Sequence, residues 1–177
     1  IAHKFSANRA TSQILDIEIQ IGRTGALTPV AKIKPVNIGG VIVSNATLHN
    51  EDEINRKDIR VNDTVIVERA GDVIPHIVSV DIKKRYKESL KFIPPKYCPS
   101  CGSQTIKEFN VITKKNDAVR RCSSEGYECE KIAIEKLKHF VSKEAFNIDG
   151  FGKKIVENFW KLDLVKFPQD IFKLDFE

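Results

Sequence analysis

The 177-residue chain contains no methionine, a single tryptophan and only four cysteines. With no Met, and opening on Ile1-Ala2-His3-Lys4 inside a strand-like run, it is expected to be an internal piece of a longer protein. No apolar run approaches the roughly 20 residues that span a bilayer. No segment has the form of a signal peptide with a cleavable small-residue site, so a cytoplasmic protein without a membrane partner is expected. Low-complexity tracts and repeats of fixed period are also missing. So are the P-loop, the G-x-S-x-G elbow, the zinc-protease motif and the dinucleotide-binding glycine fingerprint. What remains looks like a binding device.

Hydrophobic residues make up 41% of the chain, enough for a real core. The punctuation, however, divides it into two or three small modules. The net charge is +5, from 29 basic and 24 acidic side chains. That excess suits a polyanion and an ordinary soluble surface equally.

In Ile14–Ile21, Leu15, Ile17, Ile19 and Ile21 alternate with Asp16, Glu18 and Gln20, the period-two pattern of a half-buried strand. Further β-rich runs are Val30–Val36, Gly40–Ser44, Thr64–Arg69 and Val73–Val80, separated by Gly, Pro, Asn and Asp. Asn50 followed by Glu53 starts a short helix ending near Lys57. Five strands and one helix fit a small OB-type barrel. Lys83–Lys87 and Pro94-Pro95 then mark a module boundary, the basic run being either a solvated linker or a phosphate-contacting patch. From about Glu128 the period is helical, with Ala133, Leu137, Phe140 and Val141 on one face. Ile155, Val156, Phe159 and Trp160 mark a second helix, and Pro168 opens a third at its first position. The expected fold class is multidomain, β then α.

Cys98-Pro99-Ser100-Cys101 is followed by Cys122 and Cys129, the spacing at which four thiolates close a tetrahedron around zinc. Two disulfides or four unrelated buried thiols are the alternatives. The expected compartment argues against the first and the clustering against the second. Four protein ligands leave no open position, so such a centre would be structural and would add folding energy to a segment with little core. Arg23, Thr24 and Arg69, near strand ends or turns, fit a solvated rim as well as a phosphate-facing surface. Gly150-Phe151-Gly152 fits a plain helix-to-helix turn as well as a phosphate site at a helix start. His3, His49, His76 and His139 share no local motif with a carboxylate or cysteine and read as packing or surface residues.

Several runs, taken in order, resemble the bacterial NAD-dependent DNA ligases. They are Gly22–Gly25, Thr28–Ala31, Val43–Asn50, Asp63–Val65, Arg69–Pro75, Cys98–Cys101, Leu137–Ser142 and Asp149–Gly152, and they cover essentially the whole chain. The resemblance implies four parts: residues 1–7 as the tail of the nucleotidyltransferase (adenylation) domain, 8–93 as the OB-fold domain, 94–130 as a four-cysteine zinc finger, and 131–177 as the start of a helix-hairpin-helix domain. It implies an intact, monomeric protein of DNA replication and repair. That protein would seal 5′-phosphate/3′-hydroxyl nicks in double-stranded DNA through enzyme-AMP and DNA-adenylate intermediates, using NAD and magnesium. Lys4 would take the place of the family lysine that contacts the AMP phosphate. Arg23, Thr24 and Arg69 would grip the nicked duplex, Val73 and Ile74 would pack into its minor groove, and Gly150 and Gly152 would hold flanking phosphates. The family's adenylylated lysine sits in K-x-D-G, a motif this chain does not contain, so the chain alone is expected to be inactive.

The sequence departs from the family pattern in four places. Six residues, where the family usually has five, separate Cys122 from Cys129. Glu130 follows Cys129 where the family has Pro, and Ser6 follows Lys4-Phe5 where it also has Pro. The Cys101–Cys122 loop is longer than usual. The rival reading is a non-catalytic nucleic-acid-binding protein made of an OB barrel and a zinc ribbon, which would have no reason to carry the Lys4 tail or the glycine hairpin.

Overall fold

The computed structural model describes residues 7–69, 74–87, 89–112 and 114–175. Lys4 and Val73 lie outside the described residues. Two compact units emerge. One comprises the chain up to Gln20, Leu27–Pro94 and Lys107–Arg120; the other comprises Ile21–Ala26, Pro95–Ile106 and Arg121 onward.

The first unit holds β1 (Asn8–Ile21), β2 (Leu27–Ile38), β3 (Val41–Thr47), α1 (Glu51–Lys57), β4 (Thr64–Arg69) and β5 (His76–Val80). The strands follow the order β1-β2-β3-β5-β4 in a closed barrel. β4 pairs antiparallel with β1 from Asn8↔Arg69 to Gln13↔Thr64, and β3 meets β5 in parallel at Thr47↔His76. Ile14, Ile33, Ile38, Leu48, Val65, Val67 and Ile77 are central to its core.

β1 begins earlier than the alternation implied, and its phase changes along its length. Ser12 and Ile14 are buried, Leu15 and Asp16 are both exposed, and Ile17, Ile19 and Ile21 are half-buried. Leu15, expected on the inward face, is 53% exposed, while Ile14 is fully buried. A strand that serves two neighbours in a closed barrel has to bend, and an extra outward residue accommodates the bend.

Gly40 belongs to a turn rather than to β3. Gly39 and Gly40 adopt φ 60 and 85 between the paired residues Ile38 and Val41, the two-residue hairpin that demands positive φ twice. The β2–β3 register shifts between Lys32 and Val36, where Pro35 has no N–H to donate. α1 starts as expected, with the Asn50 side chain accepting the Glu53 N–H at 2.9 Å. β5 starts at His76, and Pro75 contributes its carbonyl, which accepts the Thr47 N–H at 2.8 Å.

Arg85 departs from the reading of Lys83–Lys87 as a solvated linker or a phosphate-contacting patch. Its guanidinium donates twice to Asp63, at 2.9 Å each, and also pairs with Asp58. Asp63 is fully buried and additionally accepts the Arg60 backbone N–H at 2.8 Å. Arg85 is therefore part of the barrel's own structure.

The second unit holds α2 (Glu130–Phe140), α3 (Lys153–Lys161) and a 3-10 helix at Pro168–Lys173, with Pro168 at its first position. Ile134, Leu137, Val141, Val156 and Val165 form its buried core, with Phe140 packed against it. Ala133, also on the expected inward face, is fully buried. A two-stranded sheet, β6 (Thr105–Asn110) and β7 (Lys115–Cys122), fills the segment between the second and third cysteines. The sequence reading did not anticipate it. Within the first unit, Glu51 of α1 pairs with Lys107 at 2.6 Å and with Arg120 at 3.0 Å.

Candidate metal centre and nucleic-acid interface

Three local devices bring the cysteines together. The Cys98 N–H donates to the Ser103 carbonyl at 2.7 Å and the Gly102 N–H to the Cys98 carbonyl at 2.9 Å. This tight knuckle needs the positive φ of 75 that Gly102 supplies. Cys122 ends β7, and its N–H donates to the Gly25 carbonyl at 2.9 Å. A Cβ on Gly25 would come within 3.3 Å of the Cys122 carbonyl oxygen. Cys129 caps the N-terminus of α2.

All four Sγ atoms lie within 4.8 Å of one another. Cys98 and Cys129 are 3.9 Å apart and Cys101 and Cys122 are 3.5 Å apart, sulfur to sulfur. Sulfurs about 2.3 Å from a tetrahedral zinc would sit about 3.8 Å from each other. All four cysteines are free, which removes the disulfide alternative. Burial pushes the Cys98 thiol up to about 12. Burial also acts upward on Cys101, but hydrogen bonds involving Ser103 and Ser124 outweigh it and bring that thiol down to about 6. Four thiolates in this space need a cation to neutralise them, and the all-sulfur donor set fits a divalent metal held structurally. Ser103 and Ser124 were not singled out from the sequence, because a serine beside a cysteine has no spacing signature.

Arg23 and Thr24 occupy the exposed turn Gly22–Gly25, closed by the Gly25 N–H to the Gly22 carbonyl at 2.9 Å. Thr24 Oγ1 accepts from Arg121 at 3.1 Å, a basic neighbour that the sequence did not reveal. In the same unit, Gly150 has φ 75, whereas Gly152 has extended backbone and caps α3. Nothing lies within 4 Å of a Cβ built on either. Strain explains the glycine at 150 but not at 152. The first turn of α3 carries no acid and begins with the exposed pair Lys153-Lys154, although the positive end of a helix ordinarily attracts carboxylates. In the barrel unit, Arg69 ends β4 opposite Asn8 and Ile74, just before β5, is 70% exposed. The expected DNA-contacting residues thus form one group at Arg23 and Thr24, another at Gly150 and Gly152, and a third at Arg69 and Ile74.

A closed five-stranded barrel with one helix between β3 and β4, on a chain that also gathers four cysteines, defines an OB-fold protein with a four-cysteine cluster able to hold a metal. Residues 11–89 match the family model of the NAD-dependent DNA ligase OB-fold domain. The chain is 80% identical over 176 residues to a DNA ligase of Pelagibacter ubique, covering 99% of the chain and 26% of that relative. It is 55% identical over 175 residues to a DNA ligase of Xanthobacter autotrophicus (99% and 24%) and 53% identical over 174 residues to one of Paramagnetospirillum magneticum (98% and 24%). Residues 11–89 thus match the OB-fold domain of the NAD-dependent DNA ligases, and the chain is similar to bacterial DNA ligases along 98–99% of its length while spanning about a quarter of the length of these relatives. Among the described residues, no helix is long and apolar enough to cross a membrane.

Proposed function

We propose that this chain is the DNA-gripping portion of a cytoplasmic, monomeric enzyme that seals nicks in double-stranded DNA at the expense of NAD. The observation that carries this reading is identity to a DNA ligase of 80% along 99% of the chain, a span that includes the barrel, the cysteine cluster and the glycine hairpin together. In this reading residues 8–93 form the OB domain, 94–130 a zinc finger and 131–177 the start of a helix-hairpin-helix domain, while residues 1–7 end the adenylation domain with Lys4 facing the AMP phosphate.

The chain's own contribution is binding and distortion. Arg23, Thr24 and Arg69 neutralise backbone phosphates, an electrostatic term that falls with salt. Val73 and Ile74 press on the minor groove beside the nick, widening it so that the ends can be aligned. Gly150 and Gly152, at the start of α3, hold phosphates flanking the nick. Cys98, Cys101, Cys122 and Cys129 hold zinc, which supplies folding energy and no chemistry. NAD supplies the adenylate, and magnesium neutralises charge during phosphoryl transfer.

The test is nick joining by the intact protein, with either NAD or ATP as sole nucleotide, beside the 177-residue chain incubated with labelled NAD. Joining with NAD alone, and no label on the isolated chain, is the expected pair of results. Joining with ATP, or label on the isolated chain, overturns the reading.

A further inference from the structure

The cysteine cluster is not symmetric. Cys98, Cys122 and Cys129 are at most 7% exposed, whereas Cys101 is only partly buried. At that open corner, Ser124 Oγ lies 3.2 Å from Cys101 Sγ, and Ser124 Oγ in turn lies 2.8 Å from Ser103 Oγ. Both serines sit on loops that carry ligands. Ser103 follows Cys101 by two residues and holds the Cys98 N–H on its carbonyl, while Ser124 follows Cys122 by two residues, next to Ser123, whose N–H donates to the Gln104 carbonyl at 3.0 Å.

We propose that Ser103 and Ser124 form a two-hydroxyl relay that supports Cys101 as a metal-bound thiolate, making Ser124 a positioning residue of the metal centre. This rests on the zinc reading above. A serine hydroxyl donates one hydrogen bond and accepts others. With Cys101 as a free thiol, the chain of donation runs from sulfur to Ser124 to Ser103. Once the thiol proton has left to solvent and the sulfur is bound to metal, the sulfur can only accept. The chain then reverses, Ser103 donating to Ser124 and Ser124 to Sγ. Only hydroxyl rotations are needed, because both oxygens are already at hydrogen-bond distance. A bond to an ionised acceptor is stronger than one between neutral groups, so the relay favours the metal-bound state over the free one. It also covers the least buried sulfur.

The test uses the zinc-loaded 177-residue chain in competition with a chromogenic chelator, comparing wild type with Ser124→Ala, Ser124→Thr and Ser103→Ala. Groups that hydrogen-bond metal ligands typically change affinity by roughly 10- to 100-fold when removed. Ser124→Ala is expected to bind zinc about tenfold more weakly, Ser103→Ala also more weakly because its side chain acts on Cys101 directly as well as through Ser124, and Ser124→Thr, which keeps the hydroxyl, close to wild type. In the cobalt-loaded chain the thiolate charge-transfer band should move in Ser124→Ala and not in Ser124→Thr. Unchanged affinity in Ser124→Ala overturns the relay and leaves the zinc reading standing. Equal losses in Ala and Thr variants overturn it in favour of simple packing. A wild-type chain that takes up no zinc removes both.

Discussion

Gly150 and Gly152 separate two reasons for a glycine. Gly150 sits at φ 75, where alanine is strained by about 1 kcal/mol, so Gly150→Ala should lower the melting temperature. Gly152 has ordinary backbone and open space around its missing side chain. Gly152→Ser should leave stability unchanged or raise it by a few tenths of a kcal/mol, since serine is the better cap, and yet weaken binding to duplex DNA. Thermal melts beside a binding titration check both, and intact binding by Gly152→Ser would remove the phosphate role. At Asp63, fully buried beneath Arg85, removing one partner leaves a charge stranded, and such losses run to about 3 kcal/mol. Asp63→Ala should therefore shift the urea midpoint strongly downward; an unchanged midpoint would mean that the pair contributes nothing net.

At the scale of elements, legibility followed the local pattern. β4 was readable to both ends because Asp63 and the glycine-bearing stretch after Arg69 bracket an apolar alternation. α1 was readable because Asn50 and Glu53 announce its first turn. The phase change at Leu15 was not readable, since it arises from closure of the barrel. The β6–β7 pair was missed because Lys107, Glu108 and Lys115–Asp117 interrupt any alternation, and Arg85 was hidden in a run of like charges. The cysteine spacing announced the four-cysteine cluster; the approach of Ser124 to Cys101 and Ser103 exists only once two loops are folded together.

Helix α1 offers a pH test. Hydrogen bonds from Arg56, with Lys57 adding, hold Glu53 down at about 2 against its ordinary 4.5. The stabilisation is therefore complete above about 4.5 and lost as pH falls toward 2. Glu53→Gln should cost stability at neutral pH and match wild type near pH 2, which denaturation at several pH values would show; a gap independent of pH would contradict it. Chelation of the zinc-loaded chain tests the proposed finger. Cys129 begins α2, so metal removal should unravel the cysteine loops and fray α2, while the barrel, with its own buried core, persists. Hydrogen exchange after chelation should reveal exchange confined to residues 95–140; uniform protection throughout would contradict the metal's structural role.

As a whole, the chain presents three groups of expected DNA-contacting residues, at Arg23–Thr24, Arg69–Ile74 and Gly150–Gly152, and carries a net charge of +5. That modest excess makes non-specific binding weak, so any affinity has to come from these placed contacts rather than from bulk charge. The most direct test is titration of the zinc-loaded chain with a nicked duplex, the same duplex unbroken, and the single strand, across a salt series. Preference for the nicked duplex, with affinity falling steeply as salt rises, is the predicted result. Equal binding to all three, or preference for the single strand, would contradict a nick-gripping role and leave a general OB-fold binder in its place.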